Sequence, residues 1–367
     1  MKYYIIAGEA SGDLHGSNLI KQLKIQDPSA LIKGWGGNLM EAAGAQLVKH
    51  YRDLAFMGFA EVIKNLPTIL GNLNFCKKDI SSFQPDVLIL IDYPGFNLRI
   101  AEWAKQQGIK IVYYIAPQVW AWKANRVKKM KQCIDLMLCI LPFEKAYFKD
   151  HWNWEVEYVG HPLIEVIEQF KATHQFESKP IIALLPGSRK QEIAKKLPIM
   201  LSVAPHFPQY EFVVAKAPGQ EDDFYEPFML GQPNVRLVKD STYALLSQST
   251  AALVTSGTAT LETALFGVPE IVCYKGSNIS YQIAKRLVKI KFISLVNLIM
   301  DKEIVKELIQ DQLNTANLVQ ELTNLVNNKA LQDQLKEEYS QLYQLLAGGG
   351  HASHNAASLI SQFLHKK

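Results

Sequence analysis

Asp92 follows five consecutive apolar residues, Val87–Ile91, and precedes a turn forced by Pro94. Such a run predicts a buried strand, so the carboxylate stands at its carboxyl end, where open parallel sheets bind ligands. A carboxylate there can accept a hydroxyl proton as general base, an effect worth roughly 10²–10⁴-fold in rate. The competing use is a cap on the helix predicted from Leu98. Asn97 is better placed for that, which leaves Asp92 free. A second polar cluster occupies Gly8-Glu9-Ala10-Ser11-Gly12-Asp13, between the apolar run Tyr3–Ala7 and a helical pattern. Strand, glycine turn and helix start present free N–H groups and the positive end of a helix dipole. A plain connector has the same outline, but Glu9, Ser11, Asp13 and His15 crowd more polar chemistry into it than a connector needs.

Two further turns lie in the second half. Pro186-Gly187-Ser188-Arg189 and Thr255-Ser256-Gly257-Thr258 each follow a predicted strand and open a predicted helix. Small hydroxyl residues and a glycine at a helix N-terminus suit a diphosphate. Arg189 adds a planar guanidinium for phosphate oxygens. Glu262, one turn inside its helix, would repel phosphate and suits a ribose hydroxyl. The ordinary alternative is two N-caps and a surface arginine; Ser188 with Gln191 reads as a capping box. No Gly-Lys-Ser/Thr phosphate loop and no Asp-x-Asp pair occurs. No metal or cofactor is therefore expected, and Arg189 and the helix N-termini would neutralise a leaving diphosphate.

Two stretches are open to two uses. Ala116–Trp122 carries Trp120 and Trp122 at a predicted strand end, where they line a sugar or acyl pocket or fill the core. Lys123, Arg126, Lys128, Lys129 and Lys131 follow at helical spacing, as a solvated face or as a surface for phosphate or anionic lipid. The segment Phe56–Phe75 is rich in large apolar side chains, holds Glu61 as its only acid, and is interrupted by Pro67 and Gly71. It reads as a core helix or as an interfacial patch, with Phe59, Val62, Ile63, Leu66, Ile69 and Leu70 as the acyl or membrane contacts.

The elements that must hold these residues alternate in type. Strands are predicted at Leu31–Gly34, Val87–Ile91, Lys110–Ile115, Leu136–Ile140 and Glu157–Val159. Helices are predicted at Gly16–Ile25, Ala60–Lys78, Leu98–Gln107 and Phe143–Asp150. This is βα alternation, hence a mostly parallel sheet covered on both faces. After a polar linker at Phe170–Lys179 the pattern restarts, with strands at Ile181–Leu185, Phe212–Ala215, Val235–Val238, Ala252–Thr255 and Pro269–Cys273. Residues 301–346 read as surface helices, Gly348–Gly350 as a hinge, and Asn355–Leu364 as a last amphipathic helix. The expected fold is α/β: two doubly wound Rossmann-like domains facing across a cleft, residues 1–168 and 169–347, with the last helix (351–367) packing back on the first. One domain would hold a nucleotide and the other an acceptor.

At 367 residues, with 48% hydrophobic and 20% charged residues, the chain has apolar material for two cores. A net charge of +4 is too mild to argue for nucleic acid. Four cysteines without C-x-x-C spacing predict reduced thiols of a cytosolic protein. Tyr3–Ala7 opens as a strand, which predicts no leader. No apolar run reaches the ~20 residues needed to span a bilayer, so membrane contact is expected to be peripheral.

Together these segments resemble the lipid-A-disaccharide synthase family, inverting glycosyltransferases of the GT-B fold, over essentially the whole chain. The resemblance rests on Gly8–Asp13, Met57-Gly58-Phe59 with Glu61-Val62, Ile91-Asp92 with Pro94 and Phe96-Asn97, and Pro117 with Val119–Trp122. It extends to Gly160-His161-Pro162, Leu185–Arg189 with Glu192-Ile193, and Ser256–Ala259 with Glu262. It implies UDP-2,3-diacylglucosamine as donor and 2,3-diacylglucosamine 1-phosphate as acceptor. The acceptor 6-hydroxyl attacks the anomeric carbon, giving a β-1′,6-linked disaccharide and UDP without a metal, at the cytoplasmic face of the inner membrane. Asp92 matches the base. Glu9 and Ser11 match N-terminal site residues, grouped here with Asp13 and Trp120. Ser188, Arg189, Ser256, Gly257, Thr258 and Glu262 match the donor site, and Asn297 matches a polar residue important for activity. Gly95 stands where many members have an acid, leaving one carboxylate in that turn, and Lys123 where arginine is frequent. Monomer and homodimer both stay open. The alternatives are another UDP-sugar enzyme of this fold, such as a 2-epimerase or an undecaprenyl-linked acceptor transferase, and a non-catalytic sugar-nucleotide-binding protein.

Overall fold

The structure is a computed structural model that describes residues 1–54, 66–121, 124–218, 220–277 and 291–366. It divides into two compact units, residues 1–162 with 346–367, and residues 163–345.

The first unit is built on seven parallel strands: β1 (Lys2–Ala7), β2 (Leu31–Gly36), β3 (Gln46–His50), β4 (Val87–Ile91), β5 (Lys110–Tyr114), β6 (Leu136–Cys139) and β7 (Glu157–Tyr158). Their order is β3-β2-β1-β4-β5-β6-β7, so the chain reverses direction across the sheet between β1 and β4. The turns after those two strands, which carry Glu9 and Asp92, therefore flank the switch point where such sheets leave a crevice. The central strands β4, β5 and β6 are apolar without alternation because both faces are covered. Tyr4, Ile6, Leu88 and Leu90 face α3 (Leu66–Phe83), α4 (Pro94–Gln106) and α5 (Arg126–Cys133). Tyr3, Ile5, Val87 and Ile89 pack with α1 (Ala10–Gln26) and with α15 (Ala352–His365), through Leu19, Ile20, Ala356 and Ile360. A short α2 (Asn38–Ala42) and α6 (Glu144–Trp152) complete this unit. The Gly348–Gly350 stretch is a close crossing of two backbones. A Cβ on Gly160, whose φ is +91°, would lie 2.6 Å from the Gly350 carbonyl oxygen.

The second unit holds six parallel strands in the order β10-β9-β8-β11-β12-β13. These are β8 (Ile181–Leu185), β9 (Glu211–Ala215), β10 (Val235–Val238), β11 (Ala251–Thr255), β12 (Glu270–Tyr274) and β13 (Lys306–Ile309). Helices α7 (Pro162–Thr173), α8 (Lys190–Leu201), α9 (Glu226–Met229), α10 (Thr242–Gln248), α11 (Thr258–Leu265), α12 (Leu295–Met300), α13 (Thr315–Asn327) and α14 (Lys329–Ala347) connect and cover them.

Two parallel α/β sheets are thus present, as the alternating pattern predicts, but four local expectations change. Residues 301–346 are not all surface helix. Lys306–Ile309 is an edge strand, and Leu318, Leu322, Leu335, Tyr339 and Leu342 are buried along α13 and α14. The segment expected as a linker is helical to Thr173, in a helix that Pro162 opens: proline lacks an N–H the first turn would leave unpaired anyway. Helix α3 runs through Gly71 unbroken, with Pro67 in its first turn. Asn97 is no N-cap: α4 begins at Pro94, and Asn97 is fully buried within its first turn.

Candidate active site

In the first unit the site residues gather where β1, β4, β5 and β6 end. Asp92 and Tyr93 both adopt left-handed backbone conformations, with φ of +42° and +47°. For side chains larger than glycine this costs on the order of 1–3 kcal/mol each and persists only where the surroundings enforce it. The surroundings here do so through the main chain. The Asp92 N–H donates to Tyr114 O (3.1 Å). The Asp92 carbonyl accepts from the Tyr113 hydroxyl (2.5 Å) and from Asn97 Nδ2 (2.8 Å). Asn97 Nδ2 also reaches Ile91 O at 3.2 Å. The turn is clamped largely through its backbone, and the Asp92 carboxyl group takes part only by accepting from the Tyr93 N–H.

That carboxyl group sits in a mostly desolvated spot. Burial, reinforced by the negative charge of Glu9, pushes it up from 3.8 to about 7. Glu9 stands at the N-terminus of α1. The two turns touch directly: a Cβ on Gly8 would lie 2.3 Å from the Tyr93 ring, so only glycine lets that ring cover the β1 turn. Ser11 is exposed on the first turn of α1. A third carboxylate, missed in the sequence, is near enough to act electrostatically with Asp92. Glu144 is 1% exposed and accepts from the Trp120 indole N–H (3.1 Å) and the backbone N–H groups of Ile140 (3.2 Å) and Leu141 (3.0 Å). Burial raises it to about 7. Trp120 is half-buried, edge-on to Phe143 at 5.0 Å and anchored to Glu144 by its indole N–H. The available signal for Glu144 was positional: it is the first acid after β6, at the same sheet end as Asp92.

Asp13 is held by structural contacts. It is 3% exposed, and its carboxylate accepts from the backbone N–H groups of Gly37 (2.8 Å), Leu39 (3.1 Å) and Met40 (3.0 Å). It caps α2 from another element, with three of its roughly four acceptor sites filled by backbone N–H groups. His15 is likewise a core residue, buried and held down to about 4 by desolvation, hence neutral. The basic run is largely consumed within the unit. Lys129 pairs with Glu102, and Lys131 caps the end of α6 through the carbonyls of Trp152 (3.2 Å) and Asn153 (2.6 Å). Phe59, Val62, Ile63, Trp122, Lys123 and the Leu66 side chain lie outside the described residues. On α3, Ile69 packs partly against the core, while Leu70 and Phe75 are 50% and 48% exposed.

In the second unit the two predicted turns do sit at strand ends. Gly257 has a φ of +143° and precedes α11, with Ser256 donating to Ile293 O at 2.7 Å. Thr258 is exposed at the first position of α11. Glu262 accepts from the Tyr243 hydroxyl (3.1 Å), and burial raises it to about 7. At the other turn Ser188 is exposed but caps nothing. Helix α8 begins at Lys190 with Arg189 rather than Ser188 at its N-cap, so the capping box of Ser188 with Gln191 does not form. The exposed Arg189 guanidinium donates to Glu192 Oε1 at 3.0 Å.

Asn297 is held by groups of its own unit. It is fully buried, and its amide is saturated: Nδ2 donates to Val305 O (2.9 Å) and Glu307 Oε1 (3.0 Å), and Oδ1 accepts from the N–H groups of Ile304 (2.8 Å) and Val305 (3.0 Å). It fixes β13 against α12. Among the described residues no group of three or more His, Cys, Asp or Glu could hold a metal ion, and no helix is long and apolar enough to cross a membrane. All four cysteines are free and buried.

Comparison with known proteins agrees with this arrangement. The lipid-A-disaccharide synthetase family profile matches residues 3–362. Lipid-A-disaccharide synthase of Trichlorobacter lovleyi is 36% identical, over 97% of this chain and 96% of the relative. Lipid-A-disaccharide synthase 1 of Legionella pneumophila subsp. pneumophila is 38% identical, over 93% of this chain and 91% of the relative. Among solved structures, UDP-GlcNAc 2-epimerase from Neisseria meningitidis, bound to UDP-GlcNAc, aligns with a TM-score of 0.65 at 15% identity, covering all of both chains. The glycosyltransferase of kitacinnamycin aligns with a TM-score of 0.65 at 14% identity, covering 98% of each chain. The structural likenesses are of fold, two Rossmann-like lobes of the GT-B kind. With a family profile spanning nearly the entire sequence and relatives above one-third identity at near-full coverage, the chain belongs to the lipid-A-disaccharide synthase family.

Proposed function

We propose that this protein joins UDP-2,3-diacylglucosamine to 2,3-diacylglucosamine 1-phosphate, with inversion, giving a β-1′,6-linked disaccharide and UDP. Family membership supports the reaction. The observation that carries the mechanism is Asp92: a carboxyl group at the switch point of the first sheet, raised to about 7 by burial and by Glu9. A base of that basicity suits a sugar hydroxyl near neutral pH. The acceptor 6-oxygen forms the new bond to the donor anomeric carbon, its proton passes to Asp92, and the bond to the diphosphate oxygen breaks with its electron pair leaving on UDP. Glu9 keeps Asp92 basic, and Trp120 and Ser11 are the neighbours that a bound sugar would meet. Ser188, Arg189 and the Ser256-Gly257-Thr258 turn hold the diphosphate, and Glu262 faces a ribose hydroxyl.

Both substrates carry acyl chains, and the protein meets them peripherally at the cytoplasmic face of the inner membrane. Exposed Leu70 and Phe75 on α3 support that contact. The test is a mass-spectrometric assay with acylated UDP-glucosamine and the acylated 1-phosphate. Disaccharide is expected at the same rate with and without EDTA. Equal use of UDP-GlcNAc lacking acyl chains would redirect the assignment to another UDP-sugar enzyme of this fold. Arg189→Ala is expected to weaken UDP binding about 10–100-fold by calorimetry, since a charge-assisted contact to phosphate is lost; unchanged affinity would remove Arg189 from the donor site.

A further inference from the structure

Lys196 lies on α8 with its side chain 4% exposed, beneath the two turns of the second unit. Its ammonium donates to Thr255 Oγ1, the last residue of β11 before Ser256 and Gly257. It also stands 3.7 Å from Glu192 Oε2, while the other oxygen of Glu192 accepts from Arg189. One buried cation thus touches both turns, the first through Glu192 and Arg189 and the second through Thr255. Glu192 is tucked directly under the β8 turn, since a Cβ on Gly187 would come within 2.8 Å of its Oε2.

A lysine in this place is expensive for a core. An ammonium removed from water costs several kcal/mol unless it is paired, and its nearest carboxylate is already shared with Arg189. The titratable groups facing it are Glu192 and Arg189 from α8 and Cys273 from β12. Cys273 is pushed up to about 12 by burial and brings no charge. Burial holds Lys196 below the ordinary lysine value, so an added anion overhead would stabilise its charged form. Arg189 cannot hold Glu192 and a phosphate with the same donors. When the guanidinium turns to a phosphate, Glu192 is left without its partner at 3.0 Å, and the ammonium 3.7 Å away is the cation positioned to take it over.

We infer that Lys196 is the concealed positive charge of the diphosphate site, a positioning residue that ties its two turns together and neutralises Glu192 when Arg189 moves to the phosphates. The inference rests on reading these turns as the nucleotide-diphosphate site. The test compares UDP and UMP by calorimetry and uridine by ligand-observed NMR, on the full-length wild type and on Lys196→Met, with melting temperatures recorded. The expected result is a loss of tenfold or more for UDP, a smaller loss for UMP, and no change for uridine. A loss shared equally by all three ligands, or no loss, overturns the inference and leaves Lys196 a packing residue. If the methionine variant does not fold, Lys196→Gln carries the same comparison, because it keeps a hydrogen bond to Thr255 without the charge. A wild type that binds UDP no better than uridine would instead sink the diphosphate reading itself.

Discussion

Asp92→Asn is expected to lower turnover by two to four orders of magnitude and to leave UDP affinity within about twofold. The asparagine is the same shape, the strained turn is held mostly by the Asp92 main chain, and an amide oxygen can still accept from the Tyr93 N–H. The geometry should therefore survive while the proton acceptor is lost. The wild-type enzyme should lose kcat/KM as pH falls below about 7, where Asp92 takes up its proton. A variant that keeps full turnover would end the assignment of Asp92 as base.

The same residue makes a stability prediction with a definite sign. Asp92 has a higher proton affinity folded, at about 7, than at its ordinary value of 3.8. The folded state therefore binds more protons, and its ionised form is a burden. That burden is absent below about pH 4, grows between about 4 and 7, and is complete above. Asp92→Asn should thus raise Tm at pH 8 by about 2–6 °C, corresponding to on the order of 1–2 kcal/mol. The gain should shrink on acidification and vanish below pH 4. An inactive variant that is also more stable at alkaline pH is the signature of a base kept in a site unfavourable to its charge. Loss of activity with a lower Tm would point to damage of the turn instead.

The second large effect is expected at Asn297, on stability rather than on ligand binding. Asn297→Ala strips four hydrogen bonds at once and leaves two backbone N–H groups, one carbonyl and a Glu307 oxygen without that partner. At about 1–3 kcal/mol for each buried group left unsatisfied, discounted for relaxation, the cost is roughly 3–5 kcal/mol. In a unit of this size that lowers Tm by about 8–15 °C. Activity should fall too, because Ser294 caps α12 and Ile293 receives the Ser256 hydroxyl, so the damage reaches the diphosphate turn. The distinguishing measurement is UDP affinity well below the melting transition, expected to change less than threefold. Weak UDP binding with an unchanged Tm would return Asn297 to the ligand.

How much was readable depended on where each residue's partners lie. Val87–Ile91 and Ile181–Leu185 match their strands end to end. Continuous apolar runs flanked by turn residues leave little choice in a sheet covered on both faces. The strands that escaped, Gln46–His50 and Lys306–Ile309, lie at the sheet edges, where one side is open and polar residues are tolerated. No apolar signature marks them.

The candidate site divides in the same way. That Asp92 stands at a strand end follows from its own neighbours in sequence. That its carboxyl group is basic does not, since this comes from Glu9, 83 positions earlier, and from the burial that packing imposes. Asp13 and Asn297 look like ligand groups along the chain. Both are engaged by distant groups, Asp13 by the backbone N–H groups of residues 37, 39 and 40 and Asn297 by residues 304, 305 and 307, and a side chain's spare hydrogen-bonding capacity has no local signature. Glu144 and Lys196 pass unnoticed in sequence for the converse reason: each looks like an ordinary surface charge until folding closes over it. Local periodicity was enough for the two sheets and for the turns at their ends. Which polar groups remain free for chemistry was decided by tertiary structure, because desolvation and hydrogen-bond saturation are properties of what surrounds a group in space.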